Sequence, residues 1–415
     1  MGSYILDACA LWGATRDRVF FKEMGFAPAH NVDSVYIHKE KGVITSCHTD
    51  DPITVCKDQA AMDWFYATLA EHLVIKDVVC LEPGTVIDYL SMRLTLAEDG
   101  ILRIDNEEKI IEFLEAKGMS NCNSAQTPLT KEMLTRACTV DNEPLADEEI
   151  TTYQQDIGRF NWLVQTTHPV LATAVSIASS FNRQPTKGCI EMVKHIYRYL
   201  QHAKSLCLER DPAVMPELKV WSDADWAGLF QAIGDPRSRT GIIITYGGMP
   251  VWWMSQWQKC KGTTCKADGQ PYSMGKAGLI EAETDDDAGT DIIAMASAES
   301  KVHAMSDGLR WGLHVKHIGG EFGIPMPDVL QIYVDATAAI GFARGNSGTT
   351  RMKHLDLRAA WIQQLRDTSL ADFVKVDGNM NEADFFTKLL PRIKFKEHEA
   401  KLMSKLPSDH GGLHK

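Results

Sequence analysis

Nothing in this chain is long and apolar enough to cross a bilayer. No run approaches the roughly 18–20 residues that the hydrocarbon core requires, so no membrane partner is expected. The N-terminus lacks the basic-then-apolar-then-small order of a secretory signal. It begins Met1-Gly2, but Leu6 stands where myristoylation needs Ser or Thr. The ten cysteines contain no C-x-x-C pair. Cys260 and Cys265 are the closest two, and no further ligands sit at zinc-site spacing. That scatter predicts reduced thiols in a cytoplasmic or nuclear protein, not a disulfide framework. Phosphate loops of the G-x-x-x-x-G-K-[ST] type and H-E-x-x-H zinc helices are both missing, as are internal repeats and low-complexity tracts. Positive charge is short too. A net of −12 counts against gripping nucleic acid by bulk charge. Part of that deficit is local, since residues 261–291 hold three lysines against seven acids. Charge within a groove, not the total, decides such binding.

What is present suffices for real cores: 415 residues, 44% of them apolar, predict two to four domains. Periodicity places a helix and then a hairpin in the first ~60 residues, with Val43–Thr49 and Ile53–Val55 as strands around Asp50-Asp51-Pro52. Asp88–Leu96 reads as one strand, Glu98-Asp99-Gly100 as a turn, and Ile101–Ile104 as the returning strand. Asn106–Lys117 reads as a helix stopped by Gly118. Asn121–Glu149 reads as an exposed connector, and Tyr153–Gln201 as helix broken at Pro169 and Pro185. Composition changes at Leu218. Strands are then predicted at Lys219–Ser222, Gly241–Tyr246, Pro250–Trp257, Leu330–Val334 and Ala371–Val376, with helices at Ser300–His317, His354–Leu365 and Glu382–Leu390. The implied domains are residues 1–120, 121–217 and 218–400, with an insertion at 261–291 and a tail at 401–415.

Three aspartates sit where that order would bring them together: Asp223 just after the first strand past Leu218, Asp335 ending the fourth, and Asp384 at the start of the last helix. Hard divalent cations prefer carboxylate oxygens, and a pair of them can activate water and stabilise the leaving oxygen in phosphodiester cleavage. Taken singly, each Asp is better explained as a turn or cap residue. Taken together in this order, they point to a metal site. Trp252, Trp253 and Trp257 could stack on bases, but their position on a strand favours packing.

Five segments in order carry a family resemblance: Val220-Trp221-Ser222-Asp223-Ala224-Asp225-Trp226-Ala227-Gly228; Arg237-Ser238-Arg239-Thr240-Gly241 with Gly247-Gly248 and Trp253-Met254-Ser255; Ile332-Tyr333-Val334-Asp335; Lys353-His354-Leu355-Asp356; and Asn381-Glu382-Ala383-Asp384-Phe385-Phe386-Thr387-Lys388. Together they resemble the ribonuclease H domain of copia-type retrotransposon Pol polyproteins. Upstream, Ala10-Leu11-Trp12-Gly13, Cys47-His48-Thr49-Asp50-Asp51, Tyr89-Leu90, Asp99-Gly100-Ile101-Leu102 and Thr127-Pro128-Leu129 resemble the end of the same polyprotein's reverse transcriptase. The resemblance implies an α/β (α+β) architecture: a truncated palm and connection region, a helical connector, then a mixed five-stranded ribonuclease H-like sheet with flanking helices. It implies Mg²⁺ or Mn²⁺ at Asp223, Asp335 and Asp384, which would be catalytic, and at Asp50 and Asp51. It also implies an RNA–DNA hybrid as partner. The palm strand bearing the remaining polymerase acid is expected to lie before Met1.

Two departures modify the expectation. Where the family's long helix supplies a Glu ligand, the matching stretch Ala298-Glu299-Ser300-Lys301-Val302 offers Lys301. Glu299, two residues earlier, points about 200° around the helix and substitutes poorly. The acidic, Gly-containing segment 261–291 has no counterpart in the family. Three readings follow: a degenerate Pol fragment with weak or no activity, an active metal-dependent ribonuclease H, and a host-reused module binding nucleic acid or protein without catalysis.

Overall fold

A computed structural model describes residues 2–8, 20–30, 32, 34–48, 51–72, 75–235, 237–258, 297–344 and 356–407. Gly2–Ala8 (β1), Ala27–Pro28 (β2), Val35–His38 (β3), Val43–His48 (β4), Asp51–Cys56 (β5) and Ile75–Leu81 (β6) form a sheet in the order β2-β3-β4-β5-β1-β6. Alternate side chains of β4 and β5 are buried, the period of two that the sequence predicts. Gln59–Ala70 (α1) supplies Met62, Phe65 and Leu69 to the same core. Asp58 starts that helix by accepting the Ala61 N–H at 2.8 Å. The expected opening helix is corrected at Gly2–Ala8, which is a strand between β5 and β6. Periodicity cannot tell strand from helix in so short an apolar run.

Thr85–Tyr89 (β7), Met92–Leu96 (β8) and Leu102–Asp105 (β9) begin a second sheet. The single strand expected over Asp88–Leu96 is therefore a hairpin. Its turn residues Leu90 and Ser91 have φ of 50° and 62°. Two consecutive positive φ values suit the strand twist, but Asn-Gly is their usual signal, and Leu-Ser conceals it. Glu107–Ala116 (α2) ends before Gly118, whose φ of 65° is the left-handed stop expected there. Lys131–Thr139 (α3) breaks the expected connector; Thr130 caps it, and Leu134 and Ala137 are buried. Asp147–Thr166 (α4), Ala172–Ser179 (α5) and Lys187–Ala203 (α6) follow, separated at Pro169 and Pro185 as expected, and fill the largest core. Leu206–Arg210 (β10) then pairs with β9.

Leu218–Asp225 (β11), Arg239–Tyr246 (β12), Met249–Trp257 (β13), Leu330–Val334 (β14) and Ala371–Lys375 (β15) make a third sheet, ordered β13-β12-β11-β14-β15. The first three are antiparallel, while β14 is parallel to β11 and β15 to β14. Ser297–Glu321 (α7) lays Val302, Met305 and Leu309 on it. Gly312 permits that approach, since a Cβ there would lie 2.7 Å from Val220 and 2.8 Å from Leu330. Asp356–Asp367 (α8) adds Ile362 and Leu365 to this core. The helix expected over Glu382–Leu390 is only a 3-10 turn, Glu382–Phe386. Arg392–Leu402 (α9) returns to α6, where the Tyr199 hydroxyl donates to Glu399 at 2.5 Å. Ser404–Lys405 (β16), expected within a tail, pairs with β10. Segment 261–291 lies outside the described residues.

Candidate functional site

Sheet topology gathers the acids. Asp223 belongs to β11, and Asp335 follows β14, which runs parallel to it, so both reach the same end of the sheet. Asp384 comes from the 3-10 turn, which a glycine admits to the sheet. Gly241 lies opposite Asp223, and a Cβ there would sit 2.7 Å from both the Ala383 carbonyl oxygen and Thr387 Cγ2. Asn381 fastens the turn by donating to the Ser222 carbonyl and accepting the Ala383 N–H, each at 3.1 Å. One carboxylate oxygen from each of Asp223, Asp335 and Asp384 thereby lies within 4.8 Å of the other two. No other trio of His, Cys, Asp or Glu ligands that close occurs among the described residues.

Two ammonium groups stand among these carboxylates. Lys301 Nζ is 2.5 Å from Asp335 Oδ1 and 3.1 Å from Asp223 Oδ1. Lys388 Nζ is 2.8 Å from Asp384 Oδ1 and 3.2 Å from Asp223 Oδ2. The Thr387 hydroxyl also donates to Asp223 Oδ2, at 2.6 Å. Burial alone would raise the Asp223 carboxyl, but Lys388 and Lys301 hold it well below the usual range. Burial, then repulsion from Asp223, pushes Asp384 up to about 6 despite Lys388. Burial works against the Lys301 charge, yet Asp223 and Asp335 together keep its pKa raised. Lys375 adds a contact from Nζ to the backbone oxygen of Asp335.

Carboxylate oxygens are suitable donors for a hard cation, but the ammonium groups are not. Lys301 donates to Asp335 Oδ1 and lies 3.1 Å from Asp223 Oδ1, which accepts no hydrogen bond, so a fixed cation already stands where a pair of divalent ions would need to sit.

Sequence reasoning did not single out Lys388 or Thr387, although both lie in the quoted segment and Asp384–Lys388 has the i,i+4 spacing of an ion pair. Glu299 is buried, 1% exposed, and outside the trio. Asp50 lies outside the described residues. Asp51 is half-buried at the start of β5 opposite His48, its carbonyl accepts the Tyr89 hydroxyl at 3.1 Å, and it joins no such trio. The tryptophans are packing residues: Trp253 Nε1 donates to the Val164 carbonyl at 2.7 Å, and Trp252 stacks on Trp311 at 4.5 Å between ring centres. No described helix is long and apolar enough to cross a membrane.

A mixed five-stranded sheet in this order, with aspartates from β11, the end of β14 and the following turn, defines a ribonuclease H-like domain. No family profile matches the chain. It is 25% identical over 386 residues to the "Retrovirus-related Pol polyprotein from transposon TNT 1-94" of Nicotiana tabacum, covering 91% of this chain and 26% of that protein. It is 22% identical over 249 residues to the "Putative transposon Ty5-1 protein YCL074W" of Saccharomyces cerevisiae, covering 58% of this chain and 74% of that one. Over 107 residues it is 34% identical to "Secreted RxLR effector protein 161" of Plasmopara viticola, covering 26% of this chain and 73% of that protein. Among solved structures, a compost-derived RNase H1, LC11-RNase H1, aligns with 42% of this chain and 94% of its own at 12% identity and a TM-score of 0.23. The chain is thus similar to retrotransposon Pol polyproteins over most of its length, and it spans about a quarter of the tobacco protein's length.

Proposed function

We propose that this chain is a degenerate part of a retrotransposon Pol polyprotein, whose ribonuclease H-like domain engages RNA–DNA hybrids but cleaves them weakly or not at all. One observation carries the reading: the Lys301 ammonium contacts Asp335 and Asp223 at 2.5 and 3.1 Å. A cation there competes with Mg²⁺ or Mn²⁺ for the same oxygens. At an effective dielectric near 20, a unit charge about 4 Å away contributes roughly 4 kcal/mol before screening. Even a third of that is about a tenfold loss in metal affinity. Asp223, Asp335 and Asp384 would be the metal ligands, with catalytic roles wherever activity persists.

The test compares hybrid cleavage and Mg²⁺ titration for the native chain and Lys301→Glu. The native chain should bind Mg²⁺ at least roughly tenfold more weakly than the variant and release little or no cut RNA. Robust cleavage by the native chain that disappears in Asp335→Asn would overturn the reading in favour of an active ribonuclease H.

A further inference from the structure

Arg239 opens β12 and is 1% exposed, yet it has no carboxylate within ion-pair distance among the described residues. Its Nη1 donates to Ser176 Oγ at 2.7 Å and Ser255 Oγ at 3.3 Å. The Trp257 ring centre lies 4.2 Å from its Cζ. Nε and Nη2 are buried without any partner. Burial pulls its pKa down to about 10 although Asp225 and Asp235 attract it from farther away. A guanidinium withdrawn from water on hydroxyl and ring contacts alone is costly, and an anion nearby would offset that cost.

The two serines show where such an anion would lie. An oxygen that accepts from arginine keeps its own proton to donate elsewhere. Ser176 and Ser255 both line a groove of about 510 Å³ between helices α4 and α5 and strand β13. Asn161 and Gln165 add amide groups to the wall, and the groove's lining contains no Asp or Glu. The Ser255 hydroxyl donates to Thr173 Oγ1 at 3.4 Å, a long bond that a phosphate oxygen in the groove would replace.

We infer that this groove is an anion site taking a phosphate group, which the Ser176 and Ser255 hydroxyls would hold while Arg239 behind them supplies the fixed countercharge. The phosphate could be free in solution or part of a nucleic-acid backbone; the recognising chemistry is shared. Nothing in this inference depends on hybrid cleavage.

The test titrates inorganic phosphate into the full chain at constant ionic strength, with chloride as the control anion, reading tryptophan fluorescence and heat. The native chain should show saturable binding, and Arg239→Met should abolish it. A Ser176→Ala/Ser255→Ala double variant keeps the buried charge, and its circular dichroism reports whether it folds. It should bind roughly tenfold more weakly or worse. A short oligonucleotide that displaces phosphate supports the backbone source, and one that binds without displacing it supports free phosphate. A native titration no different from chloride, or equal phosphate affinity in the native chain and a folded double variant, would overturn the site.

Discussion

Lys301 and Arg239 are both cations withdrawn from water beside one sheet, and their surroundings answer that problem in opposite ways. Lys301 is 14% exposed at its side chain and touches two carboxylates. Arg239 is buried more deeply and touches two hydroxyls and a ring. A third titratable group, His168, solves it differently again by staying neutral. Its Nδ1 faces the Thr167 hydroxyl at 2.7 Å and its Nε2 the Ala203 carbonyl at 3.2 Å. A charge removed from solvent can be paired, left in want of an anion, or discharged, and each choice has its own signature.

The largest effect should come from breaking the paired case. Asp223→Ala removes a fully buried carboxylate that both Lys301 and Lys388 contact. Leaving ammonium groups short of their countercharge should cost about 3–5 kcal/mol in urea denaturation. A loss below ~1 kcal/mol would show that the ammonium groups find water instead.

Acid should expose the discharged case. Burial depresses His168 from its ordinary 6.5 to about 4, so the unfolded chain takes up that proton first as pH falls. Its contribution is complete above about pH 6.5 and is lost between there and pH 4, on the order of 3 kcal/mol. Urea midpoints for the native chain and His168→Gln at pH 7 and pH 4.5 isolate this share. Parallel losses in the two proteins would mean His168 is not responsible.

The smallest effect is expected at the unpaired cation. In phosphate-free buffer, Arg239→Met should change stability by less than ~1 kcal/mol, because an apolar chain of similar volume carries no desolvation cost. A penalty near that of Asp223→Ala would erase the distinction between the two cations.

How much of this was legible in the sequence depends on the interaction involved. The trio Asp223, Asp335 and Asp384 was readable because topology follows from element order, and parallel β11 and β14 had to bring their ends together. The intrusion of Lys301 was readable because helical phase fixes which residue faces the sheet. Lys388 was less visible, since its role needed the turn's actual path. The Leu90-Ser91 hairpin was hidden because those residues do not advertise positive φ. The burial of Arg239 was out of reach: it depends on α5 lying against β12 and β13, a contact between elements far apart in sequence. Asp51 starts β5 and joins no ligand trio among the described residues, while Asp50, its partner in the expected pair, lies outside them.

The short strand β16 has a topological consequence. Chain leaves the second sheet at Arg210 and re-enters it at Ser404, so the whole ribonuclease H-like sheet is an excursion whose two ends are clamped onto one neighbouring strand. Removing the residues after Leu402 would therefore do more than trim an end. It would unlatch the excursion and bare the hydrogen-bonding rim of Leu206 and Cys207, an open edge of the kind that invites another chain to add itself.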